Sequence, residues 1–202
     1  MGKLPARMTV RRRFILASLL LVLAALALSA CGSSHTPLKH EDNTGAGGVD
    51  SDYITLDGVR YQVQISRLLN PYTEEDSQYL ATFGAAARDL PAGQAWFAVF
   101  LLALNPGKQP KPSVSDFTLS DTENNTYTPV PLPADNLYAY RAATIPAGGQ
   151  IPPVDSAAFY SPTQASLLLF KMPLTAFNNR PWTLTLTNPT DPTDTATVNL
   201  DV

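Results

Sequence analysis

Cysteine occurs once in the 202 residues, at position 31, and histidine twice, at positions 35 and 40. These shortages remove whole classes of chemistry. A single thiol closes no disulfide within the chain, so the fold must be held by its core, and at this length a core buries enough surface to do so. Triads and dyads of the Ser-His-Asp or Cys-His kind need an imidazole held against a nucleophile. Zinc sites ask for Cys or His on a rigid frame. His35 and His40 stand in a polar stretch that offers no such frame, and they read as solvated linker residues. The motifs G-x-S-x-G, S-x-x-K, H-E-x-x-H and the glycine-rich phosphate loop are missing as well. No metal and no cofactor is expected.

Basic residues are scarce beyond the N-terminus. Lys3, Arg7, Arg11, Arg12 and Arg13 precede an uncharged run at positions 14–28, FILASLLLVLAALAL. A basic start, a short apolar stretch and then small residues form the layout of a cleavable export signal. A membrane-spanning helix would need about 20 apolar residues. Removing positions 1–30 takes all five of those bases. Nine Lys and Arg then face 17 Asp and Glu, and the formal net charge goes from −3 to −8. Such a surface repels phosphate backbones, so nucleic acid is not an expected partner.

Leu28-Ser29-Ala30-Cys31 resembles the bacterial lipobox. The resemblance implies transfer of a diacylglyceryl group to the Cys31 sulfur and cleavage between Ala30 and Cys31. It also implies, in many bacteria, acylation of the new N-terminus. A thiolate is nucleophilic enough to take a lipid as a stable thioether. With each buried acyl CH₂ worth about 0.8 kcal/mol, two or more chains hold a protein firmly on a bilayer. The expected location is the extracytoplasmic face of the cell membrane. Arg11-Arg12-Arg13-Phe14-Ile15 also looks like a twin-arginine signal, although Val10 replaces the usual Ser or Thr and the apolar stretch suits general secretion. Both export routes stay open.

Three segments follow from composition: the signal at 1–30, a lipidated tether at 31–52 and a domain at 53–202. The tether is rich in Ser, Gly and acids and holds too little apolar surface to offset chain entropy. Its r.m.s. reach is roughly 25 Å. The domain reads as β structure. Val59, Tyr61, Val63 and Ile65 alternate with polar residues, as on a half-buried strand. The run QAWFAVFLLAL, Gln94–Leu104, is apolar on both faces, as a central strand or a buried helix is; its aromatic and Val content and the Asn105-Pro106-Gly107 that ends it favour the strand. Phe117 and Leu119 alternate with Thr118 and Ser120, and a short apolar run covers 166–172. Trp182, Leu184 and Leu186, then Ala196, Val198 and Leu200, face the same way in two strands that NPTDPTD should join as a hairpin. Of 18 prolines, 16 lie between Pro71 and Pro192, which breaks up helices and central ladders and marks turns and edges instead. The expected class is all-β, an antiparallel immunoglobulin-like sandwich. The segment 73–87, TEEDSQYLATFGAAA, reads either as a short helix inserted between strands or as a structured loop.

The order of these elements is similar to the telokin-like, immunoglobulin-fold domains of unknown function in surface lipoproteins of actinobacteria and other Gram-positive bacteria. The residues that carry the likeness are the Trp-led strand 96–105, FTLSD at 117–121, YTPV at 127–130, the Ile145–Gly148 turn and LLLFKMP at 167–173. These are packing and turn positions, so the resemblance implies a fold and assigns no site.

Among the carboxylates, Asp121-Thr122-Glu123-Asn124-Asn125 begins like a calcium loop. The sixth position, however, is Thr126 and the twelfth Leu132, where glycine and a bidentate acid belong. A polar turn fits better. Glu74-Glu75-Asp76 caps a helix or faces solvent. Tyr72, Tyr79, Phe83, Tyr138 and Tyr140 fall in segments that read as loops. Exposed aromatics there make a binding surface; folded back, they become core. The expectation is a lipid-anchored, non-catalytic binding or interaction module of the cell envelope. Its partners would be the membrane through Cys31, and an envelope protein or wall ligand. The alternatives are a hydrolase built on loop carboxylates and a purely structural envelope lipoprotein.

Overall fold

The computed structural model describes residues 43–44, 48–49 and 53–200, the first four as backbone only. Ala30, Cys31, His35 and His40 lie outside the described residues. Along the chain run β1 (Asn43–Thr44), β2 (Gly48–Val49), β3 (Tyr53–Leu56), β4 (Val59–Leu69), α1 (Glu74–Leu80) and β5 (Gln94–Leu104). There follow β6 (Lys111–Pro112), β7 (Asp116–Ser120), β8 (Thr126–Tyr127), β9 (Thr144–Ile145), β10 (Gln150–Ile151), β11 (Ser166–Pro173), β12 (Trp182–Thr187) and β13 (Thr195–Leu200). Two 3-10 segments, Ala81–Ala87 and Leu174–Asn178, complete the regular structure.

Two sheets form an immunoglobulin-like β-sandwich. The first has the order β1-β3-β4-β5, and the far edge of β5 is shared by β11 along its first eight residues and β10 along its last two. The second has the order β2-β13-β12-β7-β8. All these pairings are antiparallel except β1 with β3 and β2 with β13. Those two short strands fall inside the stretch expected as a tether, and they extend one edge of each sheet. Among the described residues no helix is long and apolar enough to cross a membrane.

Local chemistry explains the joins. Asp57 and Gly58, at φ 48° and 78°, make the two-residue turn between β3 and β4. Both residues need positive φ there, the usual reason for Asp-Gly in a tight hairpin. Lys111 Nζ reaches Asp57 Oδ1 at 2.9 Å across that turn. At the end of β5 the Asn105 carboxamide is fully buried and donates to the carbonyls of Gln109, Ile145 and Pro146 at 2.8, 2.9 and 3.1 Å. Its oxygen accepts the Gly107 N–H at 3.0 Å. The Ile145–Gly148 turn is therefore pinned to the end of the central strand. A Cβ on Gly149 would come within 2.7 Å of the Pro146 ring, so the turn closes only on glycine.

The inner core lies between the sheets. Phe97, Val99 and Leu101 of β5 meet Phe117 and Leu119 of β7, Trp182, Leu184 and Leu186 of β12, and Val198 and Leu200 of β13. The last two strands pair as expected, Leu184 opposite Val198 and Leu186 opposite Ala196. Two buried phenols clamp the strand-to-strand crossing at Val114. Tyr61 Oη accepts its N–H at 2.8 Å, and Tyr140 Oη donates to its carbonyl at 3.0 Å. Burial pushes the Tyr61 phenol up to about 12, with the Asp57 charge adding to the rise and the Val114 N–H opposing it. Burial and the neighbouring Tyr61 push Tyr140 up as well.

One strand departs from its sequence pattern. Val59, Tyr61 and Val63 point inward, but a bulge at Gln64 shifts the register, and Ile65 pairs with Phe100 on the outer face. Ile65 is 40% exposed there rather than part of the inner core. An extra residue in one strand of an antiparallel pair has this effect, and polar-apolar alternation alone does not reveal it.

Candidate functional site

The outer face of the first sheet is as apolar as its inner face. Trp96, Ala98 and Phe100 of β5 and Leu167 and Leu169 of β11 stand on it, all buried. Water cannot be left against such a surface at roughly 1.5–3 kcal/mol per large side chain. The segment between β4 and β5 covers it. That segment is helical: α1 carries Glu74, Glu75 and Asp76 in its first turn, where the helix dipole favours acids. A break at Gly84, φ 54°, bends the 3-10 segment that follows.

Asp76 does more than face solvent. It is buried, and Arg67 of β4 reaches its Oδ1 at 2.6 Å while Oδ2 accepts the Asn70 N–H at 2.8 Å. Glu75 takes the other guanidinium nitrogen at 3.3 Å. The ion pair thus fastens the start of α1 to the sheet.

Four of the five loop aromatics are packing residues rather than exposed ones. Tyr79 is buried between Phe100 and Tyr138, each with ring centres 4.8 Å away. Tyr138 is half-buried and donates to Gln78 Oε1 at 2.8 Å. Phe83 stacks on Trp96 at 5.3 Å, and the Trp96 indole donates to the Ala87 carbonyl at 2.8 Å. Tyr140 belongs to the inner core, 5.2 Å from Phe117. The physical reason is the two-faced apolar strand β5, which draws nearby aromatics onto itself. Asn136 locks this arrangement, donating to the Tyr79 carbonyl at 3.0 Å and to Thr82 Oγ1 at 3.2 Å.

Tyr72 is different: it is 73% exposed. It stands at the mouth of an apolar cleft of about 390 Å³ lined by Leu68, Leu69, Pro71, Leu90 and Trp96, with Arg88 at its rim. Leu68, 42% exposed, adds to the apolar mouth. The Arg88 guanidinium lies 5.8 Å above the Tyr72 ring, and its Nε approaches the Pro71 carbonyl at 3.4 Å. A second hollow of about 310 Å³, between Leu80, Ala81 and Gly84, shares Pro71, Ala87 and Arg88 as its wall. Arg88 and Leu90 were not singled out from the sequence. The one signal for Arg88 is that it is the sole base between β4 and β5.

The Asp121 segment is a polar turn, as its spacing suggests. Its Oδ1 accepts the N–H groups of Glu123 and Asn125 at 3.0 and 2.9 Å. Its Oδ2 accepts from Asn125 Nδ2 at 2.9 Å, and from Tyr127 Oη and Asn179 Nδ2 at 3.4 Å each. Donors occupy both oxygens, so the carboxylate organises the β7–β8 turn. Burial pushes its pKa up, but the hydrogen bonds from Asn125, Asn179 and Glu123 outweigh that and hold it below the usual carboxylate range. Beside it is an open, polar groove of about 840 Å³ lined by Asn124, Asn178, Thr175 and Tyr127, with Glu123 as its acid. Among the described residues no group of three or more His, Cys, Asp or Glu is placed to hold a metal ion.

These features define an antiparallel β-sandwich whose inserted helix covers the outer face of one sheet and leaves an apolar cleft at its end. No family model matches the chain, and no curated protein matches it. Among solved structures it is similar to the yjhA protein from Bacillus subtilis, with 12% identity and a TM-score of 0.49 over 76% of this chain and 99% of that one. It is also similar to an uncharacterized beta-sandwich protein from Clostridium difficile 630, with 10% identity and a TM-score of 0.42 over 77% and 93%.

Proposed function

We propose that this protein is a lipid-anchored, extracytoplasmic binding module of a bacterial cell envelope, non-catalytic and without a cofactor. Its family would be that of the actinobacterial-type surface lipoproteins. The sequence supports the anchor through the basic start, the apolar stretch and the small residues before Cys31. The observation that carries the binding role is the apolar cleft beside exposed Tyr72, within the size range of small-ligand sites. Exposed aromatics beside an apolar hollow are a recurrent way to gain affinity with little entropy loss.

Two measurements test this. Cys31→Ala should abolish fatty-acid labelling and free the protein from the membrane fraction; a labelled variant defeats the anchor. A photo-crosslinking amino acid at position 72 should capture a partner or ligand in cells that the same group at Val154, also exposed, does not. Identical adducts at both positions would defeat the cleft as the binding site.

A further inference from the structure

The cleft beside Tyr72 is mostly apolar; Asn70 and Gln94 are polar members of its lining, and its one charged member is Arg88. Arg67 on the neighbouring strand is paired with both Glu75 and Asp76, and Lys111 with Asp57. Arg88 differs. Among the described residues no carboxylate lies within ion-pair distance of it, and its chain neighbour Asp89 is exposed without reaching it. Its protein contacts are the long hydrogen bond to the Pro71 carbonyl and the face of Tyr72. Its guanidinium is exposed at an apolar mouth, free to meet an acid that enters the cleft. The five donors of a guanidinium are arranged in a planar fork that fits a carboxylate in two parallel hydrogen bonds.

The walls are already in place. Trp96 is fixed by its bond to the Ala87 carbonyl and backed by Phe83, and Leu69 is buried in the same cluster. Trp96 and Leu69 have little side-chain freedom left to lose on binding, which favours affinity.

We propose that this cleft binds an apolar chain ending in a carboxylate, with the chain against Leu69, Leu90 and Trp96 and the carboxylate on Arg88. The inference rests on the reading that the cleft is the binding site, and it adds the class of ligand. The adjoining hollow, which shares Arg88 as a wall, gives longer chains a second place to extend.

The test is a ligand-observed NMR titration of the full chain in lipid nanodiscs, with empty nanodiscs as the blank. The probes are octanoate, its neutral isostere octanamide, and butyrate. Octanoate should bind saturably and at least ten-fold more tightly than octanamide, and butyrate should bind more weakly than octanoate. Arg88→Gln should bring octanoate down to the octanamide level while leaving octanamide unchanged, and Arg88→Lys should restore part of the difference. Equal binding of octanoate and octanamide, or an unchanged preference in Arg88→Gln, overturns the carboxylate assignment while the cleft remains a site. Failure of every probe to bind, with an unaltered thermal melt, overturns both.

Discussion

Asn105 is polar and fully enclosed, and its worth lies in drawing together the carbonyls of Gln109, Ile145 and Pro146, the last of which also accepts the Gly149 N–H. Asn105→Ala leaves them facing a void and should lose about 2–3 kcal/mol. Asn105→Asp keeps the shape but turns a charged oxygen toward those carbonyls, and should lose about 3–5 kcal/mol at neutral pH. Urea unfolding checks the order, and the gap should narrow in acid as the introduced carboxyl takes up a proton. The buried phenols give a second residue-scale expectation. In the unfolded chain a tyrosine loses its proton near 10, whereas Tyr61 in the fold holds it to about 12. Raising pH across that interval therefore favours the unfolded state, by up to ~3 kcal/mol for two units. Tyr61→Phe should flatten this alkaline loss and cost about 1 kcal/mol at neutral pH, because the Val114 N–H loses its acceptor. Asp121 acts with the opposite sign: its lowered pKa gives stability present above the usual carboxylate value and lost as pH falls through the folded one. The role of Asn105 was half-legible, since the Asn-Pro-Gly turn and the Ile145–Gly148 turn both stood out in the sequence. That one carboxamide joins them, 40 residues apart, is a fact of packing.

The inserted helix is the element on which the site depends. Its seven α-helical residues are too few to be stable alone; the Arg67–Asp76 pair and the outer core hold it. Asp76→Ala removes one half of a partly buried pair and leaves the Asn70 N–H without an acceptor. It should lose about 2–4 kcal/mol and, in hydrogen exchange, deprotect the amides of Ser77 to Leu80 before those of β5. Retained protection there would mean that packing alone holds the helix. The element was legible in part. The acids at 74–76 marked a helix start, and β5, apolar on both faces, required something to cover its outer side. Which aromatics would do so was hidden, because loop Tyr and Phe have the same composition whether they face water or a sheet. The bulge at Gln64 was hidden for a related reason. A period of two continues to look regular when a residue is inserted, yet every later side chain changes face.

At the scale of the molecule the two cores share one strand. Phe97 points into the inner core and Phe100 into the outer, both fully buried on β5. Truncating either to Ala should lose about 3–5 kcal/mol, and both variants should unfold in a single transition followed by far-UV circular dichroism. Two separate transitions in Phe100→Ala would show that the inserted helix melts independently. The same alternation has an optical consequence. The chain contains two tryptophans, and they fall in different cores: Trp96 in the wall of the cleft and Trp182 at the centre of the sandwich. Their indole N–H groups donate to different carbonyls, those of Ala87 and Ala176. Emission from Trp96 should therefore respond to a ligand in the proposed cleft site, and emission from Trp182 to unfolding of the sandwich. Trp96→Phe and Trp182→Phe would separate the two signals without any added dye.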